Sequence, residues 1–184
     1  MPEHESINNH FPLLGKSITL CLFTEAHVNN EYIGWLNDPE VVRFSNQRFK
    51  SHDFDSCRAY HQSFKDTENL FLAIHLKDKN KFIGTMTVYN SPQHKVADIG
   101  LMIGDRNCWG KGMGRDAWQI LMTYMLETKK VRKVTGGTLS CNLGMVNIMQ
   151  KTGMQSDGER IDHELVNDFP VDVLYFSKFN NEHF

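Results

Sequence analysis

The chain has 184 residues, 40% hydrophobic and 11% aromatic, with 20 Lys and Arg against 22 Asp and Glu for a net charge of −2. That length suits one domain of about 100–200 residues, large enough to bury a core without covalent staples. The charge balance excludes a strongly basic nucleic-acid binder, and the apolar content excludes a polyanionic disordered chain.

Residues 1–15 are polar, end in Gly15 and read as a loose leader to a domain covering 16–184. MPEHESINNHFPLL lacks a basic stretch followed by an apolar core, so no signal peptide is expected. Ile18 to Leu22 alternates as a strand, and Glu25 to Leu36 has helical spacing through Val28, Tyr32, Ile33, Trp35 and Leu36. Pro39 opens a short second helix. Ser51 to about Asp66 predicts a third, with Phe54, Cys57, Tyr60, His61 and Phe64 on one face.

Three strands follow as a meander: 70–76, 82–89 and 96–103. A loop from Gly104 to Gly110 leads into a helix over about 113–128. The strand 131–139 comes next and can pair in parallel with 96–103, because a helix crosses between them. Asn142 to Thr152 reads as a helix ended by Gly153. The remainder suggests two strands, 171–179 being the clearer, joined by an acidic loop over 157–168. A meander followed by one crossover gives an α+β fold with a mixed sheet.

Cys21, Cys57, Cys108 and Cys141 lie far apart with no CxxC. They predict free thiols in a reducing compartment rather than a zinc or disulfide framework. Cys57 and His61 share a helix face near His52, but structural zinc needs four ligands, so no metal is expected. No 18-residue apolar window exists, and a cytoplasmic protein with no membrane or nucleic-acid partner follows.

The most informative segment is Asn107 to Arg115, NCWGKGMGR, between a strand and a helix. Its glycines let the backbone approach a ligand, and the free N–H groups of the helix's first turn face an anion. Lys111 and Arg115 add positive charge. A P-loop is rejected, because five residues separate Gly104 from Gly110 and Lys111 precedes Gly112 rather than Ser or Thr. A dinucleotide fingerprint is rejected too, because the spacing is GxGxG and no acid ends the next strand.

WGKGMG after VADIGLMIG resembles the acyl-CoA-binding motif of the GNAT superfamily of N-acetyltransferases, Gln/Arg-x-x-Gly-x-Gly/Ala. CNLGMVNIMQKTGM is similar to that family's next motif, an Asn opening a helix that ends in Gly-Phe; here these are Asn142, Gly153 and Met154. Trp35 to Val41, WLNDPEV, resembles a segment of the RimJ/RimL-like branch, which holds ribosomal-protein N-terminal acetyltransferases and enzymes acting on amino-sugar nucleotides. The resemblance runs over roughly 17–180.

It implies a single-domain GNAT-like fold, a mostly antiparallel sheet flanked by helices and split near the donor site. Acetyl-CoA would be the co-substrate, and the acetyl group would pass directly to a primary amine on a protein N-terminus or a small molecule. A homodimer is a further implication. Leu101, Met102 and Ile103 would offer backbone contacts. Trp109, Gly110, Lys111, Gly112, Met113, Gly114, Arg115 and Asn142 would hold the donor, with Trp109 standing where the family has Gln or Arg. Asp98 occupies the place of the family's frequent carboxylate base; being short, and with an ordinary pKa of about 3.9, it needs burial and a relaying water.

The family's acid positions carry Met149 and Met145, which cannot donate a proton; Ser140, Cys141 and Tyr175 are weak substitutes. This leaves a non-catalytic acyl-CoA-binding or sensing module as the alternative. Cys108 as a nucleophile lacks a His-Asp partner. The acceptor side is expected from residues 25–51, where Trp35, Phe44 and Arg48 shape a pocket, and from the acidic rim of 157–168.

Overall fold

The computed structural model describes residues 10–180. Its strands are β1 (Leu13–Leu14), β2 (Ile18–Leu22), β3 (Leu70–Leu76), β4 (Lys81–Ser91), β5 (Val96–Ile103), β6 (Lys133–Leu139), β7 (Gln155–Val166) and β8 (Phe169–Phe179). They form one sheet in the order β1-β2-β3-β4-β5-β6-β8-β7. Every neighbouring pair is antiparallel except β5 and β6, which a helical crossover makes parallel. The α+β fold with a mixed, mostly antiparallel sheet is as the sequence implies.

Period-2 alternation gives the sheet two apolar faces. One buries Ile18, Leu20, Leu72, Ile74, Met86, Val88, Ala97 and Ile99 against α4 (Met113–Thr123), through Trp118, Leu121 and Met122, and against α5 (Leu143–Lys151), through Met149. The other buries Phe71, Ala73 and Phe82 against α1 (Asn30–Leu36) and α3 (Phe54–Gln62), through Tyr32, Trp35, Leu36 and Cys57. Between those helices lies α2 (Pro39–Val42), whose start is fixed by the Asp38 cap and Pro39.

Four details differ from the sequence reading. The helix expected over 25–36 is broken. Glu25–His27 is a 3-10 turn, and Asn29, whose side chain accepts from the Tyr32 amide, caps a fresh start. α3 begins at Phe54, because Asp53 and Ser56 form a reciprocal capping box. The loop expected over 157–168 is mostly strand. β7 pairs with β8 to Val166, and Asn167 and Asp168 turn the chain at φ 51° and 65°, left-handed values suited to a tight hairpin. Of the expected leader, residues 1–9 lie outside the described residues, and Leu13–Leu14 pairs with β2.

The crossover helix is tied to the sheet edge by Asp116. Its carboxylate accepts from the amides of Lys16, Ser17 and Ile18 and from the Ser17 hydroxyl, at 2.7–3.3 Å. Burial raises its pKa, but these four donors outweigh that, and the net shift is downward. α5 ends in the expected left-handed glycine: Gly153 has φ 79°, and Met154 N donates to Met149 O at 3.1 Å.

Candidate functional site

β5 and β6 pair only from Val96 to Asp98 and from Lys133 to Thr135. Beyond that point β5 follows β4 to Ile103, while β6 follows β8 to Leu139. The two strands therefore part, and β5 from Gly100 onward has no strand partner on its β6 side among the described residues. The gap opens into a cleft of about 910 Å³. Leu101, Met102, Ile103, Trp109, Gly110, Lys111, Gly112, Met113, Gly114, Arg115 and Asn142 all line it. Eleven residues singled out by the sequence are thus brought together.

The glycine turn has the conformation an anion cradle needs. Gly110 and Gly112 have φ 71° and 84°, and an added Cβ at either would meet nothing within 4 Å. Gly112 is the N-cap of α4 and supplies no side chain to its first-turn amides. Those amides and the helix dipole face open space beside Lys111 and Arg115. Trp109 contributes its ring alone. Its indole N–H donates to Ile103 O at 2.7 Å, which ties the turn to the end of β5. Asn142 does two structural jobs: it accepts from Met145 N at 3.3 Å and donates to Thr138 Oγ1 at 3.1 Å.

A second cavity of about 390 Å³ lies across β5, under α1 and α3. Its walls include Tyr32, Leu36, Lys50, His52, Cys57, Tyr60, Thr85, Thr87 and Gly100. Ser45, Leu101 and Met102 border both cavities, so the two chambers meet at β5. Sequence reasoning missed His52, Tyr60, Thr85 and Thr87 as wall residues, and Lys50 is covered only by the expected span 25–51. Register could have found the threonines, since Thr85 and Thr87 sit opposite Met102 and Gly100. The Tyr60 hydroxyl lies 2.8 Å from that of Tyr89; burial first, then this bond, pushes the Tyr60 phenol far above its ordinary range.

Asp98 lies on the β5 face that bears the second cavity, two residues before Gly100 and opposite Tyr89. It borders neither cavity. The Thr135 hydroxyl donates to its carboxylate at 2.7 Å. Surrounding protein raises its pKa, and the Thr135 bond only partly opposes this. A carboxylate shifted upward is a better proton acceptor near neutrality than an ordinary one.

The expected acceptor residues scatter. Trp35 is 8% exposed, packs 4.9 Å from Phe82 and lines neither cavity. A Cβ at Gly104 would lie 2.0 Å from its ring, so glycine there is what admits the indole. Phe44 borders the larger cleft, under the Arg43 guanidinium at 4.5 Å. Arg48 points to the β7–β8 hairpin, donating to Glu164 at 3.3 Å and Leu165 O at 3.1 Å. The hairpin acids are partly neutralised as well: Asp157 pairs with Lys133 at 2.6 Å and Glu164 with Arg48.

Met149 is fully buried, and Met145 lines the larger cleft. Cys141 lines it too, Ser140 joins the backbone of Asp172, and the Tyr175 ring packs under Arg160. Burial holds the Cys108 thiol above its ordinary pKa, unlike an activated nucleophile. No group of three or more His, Cys, Asp or Glu among the described residues is placed to hold a metal, and no described helix is long and apolar enough to cross a membrane.

The family described as acetyltransferase (GNAT) domain matches residues 17–155. An N-acetyltransferase 9-like protein of Nematostella vectensis is 27% identical over 168 residues, covering 83% of this chain and 82% of the relative. Among solved structures, RimL, the ribosomal L7/L12 alpha-N-protein acetyltransferase in complex with coenzyme A, has a TM-score of 0.79 at 17% identity, covering 91% and 96% of the two chains. Spermidine N-acetyltransferase from Vibrio cholerae, in complex with CoA and spermine, has a TM-score of 0.78 at 15% identity, covering 89% and 96%.

Proposed function

This chain belongs to the GNAT acetyltransferase family, and on that footing we propose that the larger cleft holds acetyl-CoA and the smaller cavity presents a primary amine to it. The observation that carries this reading is the meeting of the two chambers at Leu101 and Met102, where β5 has parted from β6. In this reading the first-turn amides of α4, with Lys111 and Arg115, hold the donor's pyrophosphate. Leu101, Met102 and Ile103 offer β5 backbone to the rest of the donor, with Ile103 O already taken by Trp109. Trp109 and Asn142 shape the cleft wall.

The thioester supplies an activated acetyl group, so no covalent enzyme intermediate is required. The amine must lose a proton before it attacks. Asp98 takes that proton in our reading, through water, since it stands about 7 Å along β5 from Gly100 at the strand repeat. The acceptor is a protein N-terminus or a small amine such as an amino-sugar nucleotide. The WLNDPEV segment favours the RimJ/RimL-like branch, residues 16–184 being the catalytic domain of a cytoplasmic, homodimeric enzyme.

Met145 and Met149, at the family's acid positions, favour a second reading in which the fold binds acyl-CoA without turnover. Thiol release from acetyl-CoA against N-terminal peptides, polyamines, aminoglycosides and amino-sugar nucleotides tests both. Release that depends on one acceptor class supports catalysis. A thermal shift with acetyl-CoA and no release from any acceptor supports the binding module.

A further inference from the structure

We infer that the acceptor carries an acidic group near its amine, held by Lys50; this rests on the smaller cavity being the acceptor chamber. The walls of that cavity are rich in uncharged polar groups: Ser45, Gln47, Ser51, Ser56, Thr85 and Thr87. No carboxylate lines it among the described residues. The other titratable groups of its wall are pushed toward their neutral forms. Burial, then the charge of Lys50, lowers the His52 pKa. Burial raises Cys57, Tyr32 and Tyr60. Lys50 brings an amine side chain to this wall with no carboxylate partner among the described residues.

The backbone that presents Lys50 is held in place, while its side chain is exposed. Its amide donates to Gln47 O at 2.9 Å, closing the 3-10 turn Asn46–Phe49, and two residues on His52 is gripped by the Asn37 side chain. The acids nearby are engaged elsewhere. Asp53 caps α3, Asp98 accepts from Thr135, and Glu164 pairs with Arg48. A polyamine would bring further ammonium groups to a wall with one positive charge and no countercharge. An aminocarboxylate gives Lys50 a charge-assisted hydrogen bond, while the reacting amine, neutral at attack, needs no countercharge.

The acid could sit on a free aminocarboxylate or on an early side chain of a polypeptide N-terminus. Two matched pairs distinguish these sources: 4-aminobutyrate against putrescine, and short peptides carrying Glu or Lys at their second residue. Thiol release is measured for wild type, Lys50→Met and Lys50→Glu. The acidic member of at least one pair should be preferred by about tenfold or more. Lys50→Met should flatten that preference and Lys50→Glu should invert it. The thermal shift caused by acetyl-CoA should be unchanged, because Lys50 does not border the larger cleft. Loss of that shift in wild type would refute the donor site instead. If acetyl-CoA binds but nothing is turned over, the same four compounds are titrated against CoA-loaded protein. Stabilisation by the acidic members, abolished in Lys50→Glu, sustains the inference. Preference for putrescine or the Lys peptide, a preference indifferent to Lys50→Glu, or no stabilisation by the acidic members overturns it.

Discussion

The side chain of Asn37 and the backbone of His52 close a two-way hydrogen-bonded pair: Asn37 Nδ2 donates to His52 O at 2.8 Å, and His52 N donates to Asn37 Oδ1 at 2.9 Å. The end of α1 thereby fixes the loop that carries Lys50, Ser51 and His52 to the smaller cavity. Asn37→Ala should raise KM for the amine several-fold and leave KM for acetyl-CoA unchanged, at a stability cost of about 1 kcal/mol. Asn37→Asp keeps the acceptor but loses the donor, and should fall between. Equal effects on both KM values would show that Asn37 supports the fold as a whole rather than one chamber.

The glycine turn makes a sharper forecast. Gly112 has φ 84° and open space where a side chain would go, so Gly112→Ala should cost about 1 kcal/mol in backbone strain without a clash. Gly112→Glu adds negative charge at the helix start that we propose holds the donor's pyrophosphate. It should abolish the thermal shift produced by acetyl-CoA while the protein still unfolds cooperatively. A shift of wild-type size in Gly112→Glu would place the donor elsewhere.

Asp98 and Thr135 set a pH signature. As base, Asp98 works only when deprotonated, and its pKa stands above the ordinary carboxylate value because surrounding protein desolvates this solvent-facing side chain, with the Thr135 bond holding it partly down. The kcat/KM profile should therefore have an acid limb above the ordinary carboxylate range. Thr135→Val removes the opposing bond and should move that limb to higher pH. Asp98→Asn should erase the limb and lower the rate by about 10²–10⁴. A near-normal rate with the limb intact in Asp98→Asn would reassign the base.

Much of the lining of the larger cleft is legible in sequence, because one short segment, WGKGMG, carries the backbone freedom, the helix start and the charge together. The smaller cavity is not. Its wall comes from α1, the 46–52 loop, α3, β4 and β5, and only the register of Thr85 and Thr87 against β5 brings these side chains to one place. Trp35 misleads for the same reason. Its spacing marks a buried helix face, but whether that face borders a cavity or the bare backbone of Gly104 is decided by tertiary packing.

A last expectation concerns stability in acid. His27 Nδ1 receives the Thr24 amide at 2.9 Å, so its ring proton sits on Nε2, which faces His75 Nε2 at 3.1 Å. His75 in turn gives its Nδ1 proton to Asn80 O at 3.1 Å. This neutral chain has no place for another proton: one on His27 Nδ1 opposes the Thr24 amide, and one on His75 Nε2 opposes the His27 proton. Phe23 and Phe82 crowd the His27 ring at 5.1 Å each, and the His61 imidazole nearby is shared with Glu25. Burial first, then His75, lowers the His27 pKa below its ordinary 6.5. The folded state then binds fewer protons than the unfolded one. The contribution to stability is complete above about 6.5 and is lost as pH falls from there through the folded value. The Tm of the wild type should decline from about pH 6.5 downward, and His27→Asn, which keeps a side-chain acceptor for Thr24 but cannot titrate, should decline less over the same interval. Parallel Tm curves for the two proteins between pH 7.5 and 5 would remove this pair from the acid response.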